Sequence, residues 1–291
     1  MTVMTGRFRT PVTATLMAEG GFLTSRGAFA VVVLAAVSVP LQLRAQDAPA
    51  DDSAGQPAPA AAPAPSDRDV SWKKLPTNIL SDQKNIWLFP AHLRHRSALI
   101  SALAVVGVTA ALVAADPKEA PYFRNTTSFH GFNRVFSGTN TSIGMLVAPV
   151  SMYAVGLIRK DEKSKKTALL AAEAVADAEI VTTVMKDADR RLRPAAIAPH
   201  GNYSDTWFES GGSFLRGQGS FPSGHTIAAM AVATVVARRY GHEHRWVPYV
   251  AYGLAAAVGF SRMTLSAHFL SDVFMGGALG YSISRFVVLR Q

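Results

Sequence analysis

Three short stretches of this chain carry side chains able to hold an anion and move a proton beside it. The first is "PSGH" at residues 222–225, which opens the apolar run "TIAAMAVATVVA". Ser223 is a good helix N-cap, and capping alone would account for a serine there. A helix N-terminus also presents unpaired N–H groups and positive potential, which makes it a ready anion site. Gly224 lets a ligand approach the backbone, Ser223 adds a hydroxyl, and His225 can give or take a proton near neutral pH.

The second stretch is "KDADRRLRP" at 186–194. Lys186 and Arg193 are nearly two helical turns apart, so both cations could share one face. Pro194 disfavours helical geometry at Arg193, which puts that arginine at the terminus. A basic helix end that complements the dipole would look the same. The third stretch is "SRMTLSAHFLSDV" at 261–273, with Arg262 closing one helix and His268 and Asp272 opening the next. Spacing of four puts these last two on one helical face. An aspartate accepting one imidazole N–H fixes the tautomer and frees the other ring nitrogen as base or nucleophile. An ordinary buried His–Asp pair would have the same spacing.

The elements that must position these groups read as helices. Apolar or amphipathic runs cover 97–115, 142–158 and 167–185, and three more start near His225, Val247 and Asp272. No strand-like alternation or internal repeat is found, so the expected fold is an all-α bundle of about six core helices. In an up-and-down bundle the end of the third helix, the start of the fourth, the end of the fifth and the start of the sixth lie at one pole. The three stretches would then meet around a tetrahedral dianion.

Composition bounds the rest. The 291 residues include 49% hydrophobic residues, carry a formal net charge of +9 and contain no cysteine, which excludes disulfides, thiol catalysis and zinc–thiolate sites. The charge suits phosphate esters or anionic lipid; no nucleic-acid motif is present, so no nucleic-acid partner is expected. Residues 1–45 read as a signal peptide or N-terminal anchor, 46–70 as a Pro/Ala-rich linker, and 71–291 as the helical domain. An exported protein of the periplasm or cell envelope follows. With an exported linker, six spans would place the basic loop "RKDEKSKK" (159–166) outside, against the positive-inside rule. A folded bundle, soluble or resting on a membrane, resolves that conflict; an integral membrane protein is the alternative.

Together, Lys186-x6-Arg193-Pro194, Pro222-Ser223-Gly224-His225 and Ser261-Arg262-x5-His268-x3-Asp272 resemble the three-part signature of the type-2 phosphatidic acid phosphatase and vanadium haloperoxidase superfamily. The resemblance implies an all-α bundle and metal-independent phosphoester hydrolysis. It also implies His268 as nucleophile oriented by Asp272, and His225 as general acid and base. Lys186, Arg193, Ser223, Gly224 and Arg262 would hold the phosphoryl oxygens. No cofactor is expected, vanadate being an inhibitor. A vanadate-dependent haloperoxidase, with vanadate as prosthetic group, and a non-catalytic helical membrane protein are the competing readings. The expected partner is a phosphorylated small molecule or a phospholipid. His92-x-x-His95 and His242-x-His244 sit in charged junctions and read as no metal site. Asp187 and Asp189 read as surface charges, and residues 201–219 as a roof over the pocket.

Overall fold

The computed structural model describes residues 68–89, 96–212 and 215–290. The proposed signal, nearly all of the linker, and His92 and His95 lie outside the described residues. Eight helices and no strand are found among them: α1 Leu75–Trp87, α2 Arg96–Asn125, α3 His130–Val135, α4 Gly138–Arg159, α5 Glu162–Asp189, α6 Gly224–Tyr240, α7 Val247–Thr264 and α8 Leu270–Ser282. A π-helical stretch, Ile283–Val288, continues α8. The six expected helices are all present, and α1 and α3 are additional.

Helix α6 is the hub, packed against α5, α7 and α8. Its inner face is small and apolar, and Ile227, Ala231 and Val235 meet Leu170, Ala174, Ala178 and Val181 of α5 in the main core cluster. Helix α8 approaches α6 more closely still. A Cβ built on Gly276 would lie 2.8 Å from the Ser223 carbonyl, and one on Gly280 would collide with the Ile227 carbonyl. Main chain therefore rests on main chain, which fixes the start of α6 against the start of α8.

The pole that carries the three motifs is tied by hydrogen bonds between helix ends. Ser223 N donates to Asp272 O (3.0 Å), Ser220 N to Arg191 O (2.8 Å) and Ala195 N to Ser266 O (2.8 Å). Helix α3 joins α7 through Asn133 Nδ2, which donates to Thr264 O at 3.1 Å.

Helix α2 runs about ten residues past its expected end and contains Pro117 and Pro121. Each proline removes one intrahelical bond, and the apolar run itself ends before Asp116. The extension is held by tertiary bonds: Asp116 and Glu119 accept the Ser271 and Leu270 N–H groups of α8. By contrast, the first eighteen or so residues of α2 are almost bare, with 6% of their most apolar window buried; for α4 the share is 28%. Both helices are long and apolar enough to cross a membrane.

Helix α1 lies along α5 over a buried polar seam. Arg68 pairs with Asp82 (2.9 Å) and Glu173 (3.0 Å) and donates to the Val287 carbonyl of the π-helical stretch (3.1 Å). Val70 is buried in the main cluster, so the fold begins within the stretch read as linker. Gln83 Nε2 donates to Asp177 Oδ1 at 2.9 Å. Three carboxylates and one guanidinium thus share one buried space. Burial, and then repulsion from Asp82, push both Glu173 and Asp177 up to about 7.

Candidate active site

Helix α5 ends at Asp189, with Arg190 left-handed at its C-cap. Lys186 is therefore in the last turn, while Arg193 stands in extended backbone before a 3-10 turn at Pro194–Ala196. The shared helical face expected for the pair is not formed. The two cations instead reach one space from separate segments, and Arg193 is a cause of the lowered Lys186 pKa. Burial comes first among those causes, and the ammonium falls to about 8. Neither Lys186 nor Arg193 donates a side-chain hydrogen bond to another described residue.

The motif at 222–225 does start a helix, but not by side-chain capping. Ser223 occupies the N-cap with extended backbone and makes no cap hydrogen bond. Its hydroxyl instead accepts from Thr226 Oγ1 at 2.9 Å. The first N–H groups of α6 therefore stay available, and a Cβ on Gly224 would lie 3.4 Å from Lys186 Nζ. An uncapped helix start facing a buried ammonium is an anion-holding arrangement.

His225 is anchored through one nitrogen. Its Nε2 lies 3.1 Å from Gly138 O and 2.9 Å from Ser142 Oγ, both at the start of α4. Nδ1 is left as the ring nitrogen available for proton transfer. Burial, then the charge of Arg262, lowers its pKa to about 4. Arg262 itself is buried and held by Ser261 Oγ (2.7 Å) and the Phe136 carbonyl (2.5 Å).

His268 and Asp272 do meet, by a different route from the one their spacing suggests. Helix α8 begins at Leu270, so His268 precedes it and Asp272 is the third helical residue. The aspartate reaches back over the helix start. Its Oδ2 accepts the Phe269 N–H (2.9 Å) and a hydrogen bond from Ser220 Oγ (2.5 Å), and lies 3.4 Å from His268 Nδ1. With Nδ1 turned to the carboxylate, Nε2 is the free nitrogen. Burial, opposed by Asp272, lowers His268 to about 4, so the ring is neutral at pH 7. Burial alone would raise Asp272, but the His268 hydrogen bond and the Arg191 charge hold it below the ordinary carboxylate range.

The fold thus gathers every site residue picked from sequence at one pole, except that nothing orients Gly224 beyond its backbone. Sequence reasoning missed three participants: Ser142, Ser220 and Arg191. The last is 1% exposed and donates to Asp272 Oδ1 at 2.6 Å. Its signal was its place two residues before Arg193 in a basic run, where a solvated end was the simpler reading. Asp187 and Asp189 are not plain surface charges either. Asp187 accepts the N–H groups of Leu215 and Gly217, tying the 201–219 loop to α5. Asp189 accepts the Arg191 N–H, and burial raises its carboxyl to about 7.

Residues 166–291, which hold all three motifs and most of the core, match the PAP2 superfamily. A stretch of 61 residues is 41% identical to lipid A 1-phosphatase of Porphyromonas gingivalis, covering 21% of this chain and 14% of that protein's length. Among solved structures, a transmembrane PAP2-type phosphatidylglycerolphosphate phosphatase from Bacillus subtilis aligns over 74% of this chain and 92% of its own, at 20% identity and a TM-score of 0.37.

Proposed function

We propose that this PAP2 protein hydrolyses a lipid phosphomonoester at a membrane of the cell envelope, without a metal ion, through a phosphohistidine on His268. The observation that carries the reading is the pairing of a buried neutral histidine, oriented by an ionised aspartate, with a lysine, two arginines and an uncapped helix start. Phosphoryl transfer needs fixed positive charge around the equatorial oxygens more than any other aid.

In the first step His268 Nε2 forms a bond to phosphorus as the ester P–O bond breaks, and the leaving oxygen takes a proton from His225. Water then attacks phosphorus and gives its proton to His225, and the P–N bond breaks to release phosphate. Lys186, Arg193, Arg262, Ser223 and the Gly224 amide hold the phosphoryl oxygens throughout. Arginine offers a forked grip, and lysine acts as a point charge.

Two features support a lipid. Helices α2 and α4 present bare apolar faces, Leu103 being 60% exposed and Leu146 68%. An apolar groove runs between α4, α6 and α7, lined by Phe136, Met145, Ala148, Trp246 and Val258. Gly144 and Met145 of its lining stand within one helical turn of Ser142, the partner of His225, which would let a hydrocarbon chain on the leaving group lie along it. The likeness to lipid A 1-phosphatase points the same way.

Phosphate release from phosphatidic acid in mixed micelles, with chelator present, tests the reading. We expect turnover in wild type and a loss of roughly 10³-fold or more in His268→Ala. A variant within a few-fold of wild type would falsify the nucleophile assignment.

A further inference from the structure

Arg191 stands outside the phosphate cage. Its Nη1 donates to Asp272 Oδ1 (2.6 Å) and Ser271 Oγ (2.7 Å), its Nη2 to Asp116 Oδ2 (2.7 Å) and its Nε to Thr206 Oγ1 (3.2 Å). The guanidinium is sandwiched between Phe269 (4.0 Å to the ring centroid) and Trp207 (4.6 Å). Four of its five N–H donors are committed to the protein and both faces are covered by rings, so it does not grip substrate. The two oxygens of Asp272 are also divided: Oδ1 belongs to Arg191, while Oδ2 serves His268, Ser220 and the Phe269 N–H.

We propose that Arg191 is a positioning residue for the nucleophile: braced on Asp116 of α2, it locks the Asp272 carboxylate so that His268 keeps Nδ1 on the aspartate and Nε2 toward phosphorus. The inference rests on the phosphohistidine reading above. Two buried carboxylates share one arginine here, and removing one partner of such a network leaves an uncompensated charge. Without Arg191, the nearest cation able to balance Asp272 is His268 itself, and a protonated imidazole has no lone pair for phosphorus. Lys186 at the end of α5 and Arg193 beyond it act on this ring and His225 of α6 shares its space, while Asp189 of α5 and Glu119 of α2 act on its partner Asp272 and Asp116 of α2 is held by Arg191. Lys186 and Arg193 of the cage oppose protonation, so the effect of Arg191 is read against them.

A purely structural arginine would cost stability alone, and a double variant separates the two roles. In Arg191→Met, we expect kcat at pH 7 to fall about 10²-fold or more, with KM within about threefold, because the cage is untouched. The acid limb of the kcat/KM profile should move up by a pH unit or more, with partial recovery of rate at high pH. Arg191→Met with Asp116→Leu removes the orphaned Asp116 charge, so thermal stability should return toward wild type while rate and pH limb stay displaced. Arg191→Lys should fall between wild type and methionine in the same quantities. Restoration of rate and pH profile together with stability in the double variant would overturn the proposal, as would an unmoved acid limb in Arg191→Lys. Imidazole NMR titration of His268 in Arg191→Lys reads the same shift without turnover, so it separates failure of this inference from failure of the phosphohistidine reading.

Discussion

Ser142 Oγ lies 2.9 Å from His225 Nε2, so a helix with exposed apolar residues such as Leu146 and Val150 along its length supplies the anchor of the proposed general acid. The ring is fixed from α4 and exposed to charge from α7, and those two influences give opposing consequences for its titration.

Burial and the Arg262 charge hold His225 near 4 in the free protein. A bound dianion adds negative charge and should raise it. A group lowered this way carries its proton only at low pH, so kcat should decline as pH rises from about 5 to 8. NMR titration of His225 checks this directly: the midpoint should lie well below the ordinary 6.5, move up with bound phosphate, and move up in Arg262→Gln. A midpoint at 6.5 in the free protein would mean the ring does not share space with the cations.

Gly224→Ala adds a methyl 3.4 Å from both Lys186 Nζ and Thr182 Cγ2, in ordinary contact. Alanine also favours helix by up to about 1 kcal/mol. We expect unchanged or higher thermal stability together with phosphate inhibition weakened about tenfold, since the methyl stands where the anion meets the helix start. Inhibition constants for inorganic phosphate and denaturation curves measure the two separately.

Gly280→Ala places a methyl into the Ile227 carbonyl. Unlike the Gly224 variant, it meets main chain that cannot turn aside, so α8 must move off α6. Overpacking of this kind costs about 1–3 kcal/mol, and because α8 carries Asp272, turnover should fall with it. Wild-type stability in this variant would show that the two helices are not in main-chain contact.

Glu173 and Asp177 are raised above their unfolded values, so the folded state binds more protons than the unfolded chain between about pH 4 and 7. Their contribution is greatest below pH 4 and is lost as pH rises through 7. The lowered His225 and His268 act in the opposite sense, gaining stability as pH rises from about 4 to 6.5. The difference between wild type and Asp177→Asn isolates the acidic seam: the melting temperature of the variant should fall less between pH 5 and 7.5. Parallel curves would remove the seam from the pH response.

Helix α2 can be tested as a membrane element by charge. Leu103 and Val106 are 60% and 59% exposed on it. A lysine at the centre of a spanning helix costs about 2.5–3.5 kcal/mol, so Leu103→Lys with Val106→Lys should shift the protein out of the alkaline-resistant membrane pellet. A wild type that is already in the supernatant would reject the membrane seat.

Much of the site was legible because its parts are short and local. Pro222–His225 needs only a turn and a helix start, and Arg262, His268 and Asp272 need only two helix ends. What could not be read was tertiary. The His268–Asp272 spacing suggested a helical face, whereas Asp272 is recruited backward by the orphan N–H of Phe269. Lys186 and Arg193 suggested one face as well, until Arg190 turned left-handed and broke it. Arg191 looked like a solvated charge because its partners, Asp116 and Asp272, lie 75 and 81 residues away. The extension of α2 through two prolines was hidden for the same reason.

The close seat of α8 on α6 has a further consequence. Because carbonyls and glycines set the spacing between the two helix starts, no side chain facing the outside has a vote in it. The reacting geometry is thereby insulated from the solvent the barrel of helices happens to sit in. Surfaces can be rewritten for water or for lipid while the distance between the His268 ring and the first amides of α6 stays where it was.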